Sequence, residues 1–280
     1  MDKKNAFIGA GNVSTALGLY FKDKSFVVQG YYSQRFASAE KAAQLTHSTA
    51  YASVEKLMQD SQMIWITTPD DQIAAVAYQL SQLSVPQCAE KLVLHASGAH
   101  SVDILKPLKE KGYQTAAAHP LFSFNDPVSA QKKLSEVWFA VEQSHDENEQ
   151  ISDFFKQCGN RVLHLDVEKK TLYHAAACML ANYLLTLADA SYKIFEKSGV
   201  EKNDIKKAVM PLLESVINNL QTKEPKDALT GPIKRGDQNT IKLHMQALHL
   251  FAPEMADLYK FMGKQTMHML GDYSLKKLFD

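Results

Sequence analysis

Gly9-Ala10-Gly11-Asn12-Val13-Ser14 stands directly behind the apolar run Ala6-Phe7-Ile8 and opens a helical pattern. Glycines at the first and third of these positions permit a tight turn and let backbone N–H groups approach a pyrophosphate at the positive end of a helix. The last glycine of that fingerprint is replaced here by Ser14. A small residue still permits close helix–strand packing, and Gly18 adds a second close-contact position. Alone, six residues of this kind could be a plain turn. In a strand–turn–helix context they point to a dinucleotide held by Gly9, Ala10, Gly11, Asn12 and Val13. The next strand then indicates which dinucleotide. An NAD site usually ends that strand on Asp or Glu. Here it runs Gly30-Tyr31-Tyr32-Ser33-Gln34-Arg35, and the next acid, Glu40, lies inside the following helix. Ser33 and Arg35 can bind a 2′-phosphate, so NADP(H) is expected over NAD(H). The plain alternative for Arg35 is a surface side chain on a loop.

Three further strand ends carry polar chemistry. Thr67-Thr68-Pro69-Asp70 can border a nicotinamide ribose, or Thr68 or Asp70 can simply cap the next helix. His95-Ala96-Ser97-Gly98 and His119-Pro120-Leu121 follow later strands. One strand-end histidine is commonly a packed structural residue; two at adjacent crevice positions suggest substrate contact. No carboxylate recurs beside them at metal-ligand spacing, so no metal is expected. Farther along, His174, Cys178, Asn182 and Thr186 recur every four residues on one face of an apolar helix. Such polar groups need partners, whether a ligand or a neighbouring helix.

The elements around these residues follow from hydrophobic periodicity. Short strands, apolar throughout, alternate with helices: 6–8, 26–32, 63–67, 91–95 and 113–118, with two more candidates at 137–141 and 162–165 around a helix at 147–158. That pattern indicates a parallel sheet covered on both faces. Beyond Asp166 only helical patterns remain, at 169–197, 204–220, 238–251 and 253–270, with a Pro- and Gly-containing loop at 222–236. The expected architecture is α/β: a doubly wound, mainly parallel NADP-binding Rossmann domain over residues 1–165, then an all-helical substrate and dimerisation domain over 166–280. Met179, Leu180, Leu184 and Leu187 are expected in the core of the first long helix. Met255, Leu258, Phe261, Met262 and Met269 form a Met-rich stripe suited to a partner or the core.

This combination resembles the superfamily of 6-phosphogluconate dehydrogenase, ketopantoate reductase and pyrroline-5-carboxylate reductase. Five segments resemble, more closely, the family pairing a Rossmann-like domain with the domain of unknown function 2520. They are 9–14, His95-Ala96-Ser97-Gly98-Ala99, His119-Pro120-Leu121, Tyr173-His174-Ala175-Ala176-Ala177 with Asn182, and Leu229-Thr230-Gly231-Pro232-Ile233-Lys234-Arg235-Gly236-Asp237. The resemblance implies an NADP-dependent oxidoreductase acting on a small, anionic carbonyl, imine or hydroxyl compound. Asn182 and Ser97 would orient the substrate, His119 or His174 would handle the proton, and His95 would lie at the cofactor. Arg235, with Lys234 beside it, is free to meet an anion; the alternative explanation of this loop is Asp237 as a helix N-cap alone. A homodimer through the helical domain is also implied. Several relatives carry a catalytic Lys four residues before the Asn; here that position is Cys178, which cannot replace an ammonium. The competing reading is therefore an NADP-binding sensor or regulatory protein without turnover.

Composition limits the partners. Lys+Arg and Asp+Glu both number 31, which argues against a general basic surface for nucleic acid or anionic membrane but not against a local basic pocket. Three widely spaced cysteines fit neither a disulfide framework nor a Cys-x-x-Cys site, suggesting a reducing compartment. The most apolar segment, 172–190, is interrupted by His174, Asn182 and Asp189 and falls short of ~20 clean apolar residues, so a buried helix in a cytoplasmic protein is expected.

Overall fold

A computed structural model describes residues 3–142 and 149–279, and the chain divides into two compact units, Met1–Ala181 and Asn182–Asp280. In the first, strands β1 (Asn5–Ile8), β2 (Val28–Tyr32), β3 (Thr49–Tyr51), β4 (Met63–Ile66), β5 (Leu92–His95), β6 (Gln114–Pro120), β7 (Phe139–Glu142) and β8 (Val162–Leu165) form one sheet in the order β3-β2-β1-β4-β5-β6-β7-β8. All pairings are parallel except β6 with β7. The central strands β1, β4 and β5 are almost wholly apolar because both faces are covered. Successive side chains point to opposite sides, so Phe7, Trp65 and Leu94 enter one core while Ile8, Ile66 and Val93 enter the other.

The covering helices are α1 (Asn12–Asp23), α2 (Phe36–Thr46), α3 (Val54–Asp60), α4 (Ile73–Ser81), α5 (Lys106–Glu110), α6 (Pro127–Gln131) and α7 (Glu149–Cys158). Residues 147 and 148, expected at the start of α7, lie outside the described residues. Helix α1 packs closely on β2: a Cβ at Gly18 would sit 1.8 Å from the Tyr31 hydroxyl, so Gly18 is the residue that permits this approach. The edge strand β3 was not expected, since three residues with no apolar run leave no pattern. His119 and Pro120 lie within β6 rather than after it, because antiparallel pairing with Ala140 and Phe139 extends that strand.

Helix α8 (Lys170–Lys197) runs through the division between the units, followed by α9 (Lys202–Leu220), α10 (Pro225–Ala228), α11 (Pro232–Arg235), α12 (Gln238–Phe251) and α13 (Ala256–Leu270). The expected loop at 222–236 thus contains two single-turn helices, each with proline at its start. Buried clusters in the second unit are small: Ile241, Met267, Leu275 and Phe279, and Leu248, Ala252 and Ala256. The segment Val167–Lys197 is long and apolar enough to cross a membrane by length and composition, and its most apolar window is unburied. This corrects the expectation of a buried helix. Met179 and Leu180 are 64% and 75% exposed, and Leu184 and Leu187 are exposed too. Phe261, Met262 and Met269 of the expected stripe are likewise exposed. Periodicity marks where apolar side chains gather, but it does not show whether they are buried, and among the described residues these stay exposed.

Candidate functional site

Strand order reverses between β1 and β4, and on such sheets ligands bind outside the carboxyl ends of the strands at that switch point. Gly9, just past β1, has φ +101, and a Cβ there would lie 2.7 Å from the carbonyl carbon and oxygen of Thr67. Thr67 closes this junction: its N–H donates to Ile8 O at 2.8 Å and its hydroxyl to Gly9 O at 3.0 Å. Gly11 differs in both respects. It is the N-cap of α1 at φ −95, and a Cβ there would meet nothing within 4 Å. Beside it Ser14 and Thr15 donate to Gly11 O, at 3.0 and 2.8 Å. Thr68 Oγ1 is buried without a hydrogen-bond partner. It does not cap the next helix, and neither does Asp70. Pro69 takes the capping position, and Asp70 is the first residue of a 3₁₀ turn. Open space before the first-turn N–H groups and an unsatisfied buried hydroxyl fit a dinucleotide phosphate chain and its ribose.

Other expected cofactor residues differ in availability. The Asn12 amide donates to Phe124 O and Asn125 O, at 3.2 and 2.8 Å, tying the loop after β6 to the glycine turn. Ala10 and Val13 pack against the core. Ser33 is half-buried just beyond β2, and Arg35 is exposed at the N-cap of α2 with no side-chain capping bond. His95 ends β5 fully buried. Its Nδ1 accepts the Ser97 N–H at 3.2 Å, and Nε2 then donates to Ser101 O at 3.2 Å. Burial, followed by the nearby Lys170 charge, lowers its pKa to about 3. It is a neutral strut for the loop after β5.

That loop approaches β6 and the first turns of α8. Ser97 Oγ accepts N–H groups of Ala99 and His100, at 3.1 and 3.2 Å, and the turn exposes Gly98 to two imidazoles. A Cβ at Gly98 would lie 2.5 Å from His174 Cδ2 and 2.9 Å from His119 Nε2. His119 Nδ1 is 3.0 Å from the Tyr173 hydroxyl, and its ring packs edge-to-face on His174 with centroids 5.9 Å apart. Burial lowers the His119 pKa to about 4, reinforced by His174 and Lys170, while Asp70 opposes the shift. Burial raises Tyr173 to about 12. Both partners are therefore neutral near pH 7. Cys178 Sγ stands 3.9 and 3.8 Å from the two His174 ring nitrogens, touching the ring without addressing one of them.

Two family models match the chain: a Rossmann-like domain over residues 3–120 and a domain of unknown function, DUF2520, over residues 137–266. The chain belongs to the family that joins these two domains. No curated protein matches this Rossmann-like/DUF2520 protein. Solved structures do. A candidate NADP oxidoreductase from Bacteroides fragilis has a TM-score of 0.75 at 21% identity, covering 95% of this chain and 98% of that one. An imine reductase from Pseudomonas sp. has a TM-score of 0.65 at 15% identity, covering 100% of both chains. A reductive aminase from Aspergillus terreus, in complex with NADPH and ethyl-5-oxohexanoate, has a TM-score of 0.64 at 13% identity, covering 100% of this chain and 92% of that one. At these identities the likeness establishes the fold.

In the second unit of the Rossmann-like/DUF2520 protein, Asn182 is exposed and its carbonyl accepts the Thr186 hydroxyl at 3.3 Å. Lys234 is not free for an anion. Its ammonium donates to Lys226 O and Asp227 O, both at 3.3 Å, bracing the loop. Arg235 stays exposed, 4.0 Å from Asp237, which caps α12 through Thr240 N–H at 3.1 Å. Three residues around the histidines were missed as candidates: Tyr173, Lys170 and Glu142. Lys170 carried a signal, because it starts the every-four series on α8 one turn before His174. Glu142 carried none, since its partner is 28 positions away.

Proposed function

We propose that this protein is an NADP-dependent oxidoreductase that moves a hydride to or from a small carbonyl, imine or hydroxyl compound. The reading rests on one juxtaposition: along one carboxyl edge of the sheet, an open glycine turn with an unsatisfied Thr68 hydroxyl accompanies a neutral imidazole–phenol pair. Gly9, Gly11 and Thr68 would hold the cofactor, and Ser33 and Arg35 would select its 2′-phosphate. A bound nicotinamide supplies or accepts the hydride. The chain's own task is the proton. With the Tyr173 hydroxyl donating to His119 Nδ1, the imidazole carries its hydrogen on Nε2, the atom beside Gly98. Nε2–H protonates the developing alkoxide or amine while Nδ1 takes the Tyr173 proton, and solvent reprotonates the half-buried phenol. Ser97, holding two N–H groups, can still donate its own hydroxyl hydrogen to a substrate oxygen. Like-folded proteins bearing the names imine reductase and reductive aminase, one holding NADPH, support this class.

In the second unit, Asn182 and Arg235 are exposed polar groups suited to a substrate amide or carboxylate, which favours an anionic compound. The exposed apolar side of α8 supports a homodimer, with a second copy covering it. A membrane fits that surface less well, because Asn182 and Asp189 interrupt it. The deciding experiment is stopped-flow oxidation of NADPH across a panel of small keto acids and imines. Turnover that collapses in His119→Ala is expected. Tight NADPH binding with no turnover, unchanged in His119→Ala and His174→Ala, overturns the enzyme reading and favours a sensor, as the missing Lys at position 178 would suggest.

A further inference from the structure

A buried charge pair lies beneath the histidines. Lys170 Nζ stands 3.1 Å from Glu142 Oε1, and the two side chains are 1% and 0% exposed. Glu142 Oε2 accepts the Val102 N–H, so one carboxylate at the end of β7 holds both the turn after the β5 loop and the first residue of α8. Thr171 adds a hydroxyl bond to Ala99 O at 3.3 Å. Burying two charges is costly, and apolar residues of similar volume commonly replace such pairs without loss of stability. The pair therefore needs a reason beyond cohesion, and its neighbours supply one. We propose that Lys170 and Glu142 are positioning residues that fix α8 against the β5 loop and so hold the Tyr173 hydroxyl at His119 Nδ1.

The charged and titratable groups around His119 are Tyr173, His174 and Lys170 on α8, Asp70 after β4, His95 on β5 and Glu142 on β7. Burial first, then His174 and the Lys170 ammonium, oppose protonation of His119, and burial followed by the same ammonium opposes that of His95. Only a neutral Nδ1 can accept a phenol proton. The inference rests on the reading of His119 and Tyr173 as the proton-handling pair, but its test needs no turnover. Histidine ¹⁵N NMR would follow His119 in the full chain, in the native sequence and in Lys170→Met/Glu142→Gln. That double variant removes both charges and retains an acceptor for Val102 N–H. The His119 midpoint is expected to rise by about one pH unit, the effect of losing one close like charge. A second variant, Lys170→Arg, keeps the charge and should keep the midpoint low. An unchanged midpoint in the folded double variant overturns the proposal. So does a native midpoint at or above about 6.5, which can be read even if no variant folds. A His119 that shifts as expected in a protein without turnover would leave the positioning role intact and count against the enzyme reading alone.

Discussion

Adding one methyl group at Gly11 separates a glycine kept for the fold from a glycine kept for a ligand. The position lies at φ −95, which any residue adopts, and the added carbon would touch nothing within 4 Å. Two small effects on stability oppose each other. Alanine restricts the unfolded chain, gaining about 0.4–1 kcal/mol, but it is a poorer N-cap than glycine by a similar amount. Gly11→Ala should therefore leave unfolding by urea within about 1 kcal/mol of the native protein. Cofactor binding should behave differently. A methyl group in the open space before the first-turn N–H groups would hold a phosphate away from them. Losing one hydrogen bond to a charged group costs about 1.5–3 kcal/mol, which is a rise in NADPH Kd of about 10- to 100-fold. Fluorescence titration of NADPH, run beside urea denaturation of the free protein, reads both quantities. Gly9→Ala is the control with the opposite outcome. There a positive φ and a 2.7 Å approach to Thr67 backbone predict loss of the folded protein itself. Unchanged NADPH affinity in Gly11→Ala would refute the reasoning, and the glycine turn would then be only a turn.

Tyr173→Phe removes the hydroxyl from His119 Nδ1; turnover measured with any active substrate should fall about 10²- to 10⁴-fold, as for loss of a general acid–base group, and a loss under twofold would remove Tyr173 from the proton path. Arg35→Glu should raise NADPH Kd by about 10- to 100-fold while leaving NADH nearly unchanged; equal losses for the two cofactors would refute the assignment of Arg35 to the 2′-phosphate. Leu180→Glu places a charge on the exposed side of α8, so light scattering should change from twice 31.3 kDa to 31.3 kDa; a native protein already at the lower mass argues against the dimer. Stability should also fall in acid. His95 and His119 have folded pKa values below that of a free histidine, so the unfolded chain binds more protons. Their contribution is complete above about pH 6.5 and is lost as pH falls toward about 4 for His119 and about 3 for His95. At pH 5 each costs about 2 kcal/mol, so urea midpoints that match at pH 7 and pH 5 would contradict this.

The parts of this protein that could be read from sequence are those encoded by neighbours. Strand–glycine–helix at residues 6–14 is a local pattern, and so is the absence of an acid after Tyr32. Apolar strands spaced by helices specify a covered parallel sheet whatever their final order. Burial is a different matter. Met179 and Leu180 have the side chains of core residues, and helical periodicity cannot say whether the surface they face belongs to the same chain. The site was legible by halves for a similar reason. His119 and His174 stand out as polar residues in apolar contexts. Their partnership with Tyr173, through a 3.0 Å bond across 54 positions, is created by the register of α8 against β6.

That register also answers the objection raised by Cys178. The catalytic lysine that the resemblance implied at that position would make its absence here end catalysis only if the ammonium were the necessary feature. Under the proposed function the necessary feature is a proton donor held at a fixed place beside the glycine-turn edge of the sheet. On α8 the polar series begins with Lys170, which is buried and paired, and passes through Tyr173 and His174, which meet His119 and Gly98. Under the proposed function the charge stands about two turns nearer the start of the helix, buried beside Glu142, where it adds to the burial that opposes protonation of the imidazole. A neutral phenol–imidazole pair donates without carrying net charge, so its strength should vary little between about pH 6 and 9, well clear of the shifted values of about 4 and 12. An ammonium donor beside a nicotinamide would instead lose its proton at the alkaline end. A turnover profile flat across that range in the native protein, steepening in acid once Lys170 and Glu142 are neutralised, separates the two designs.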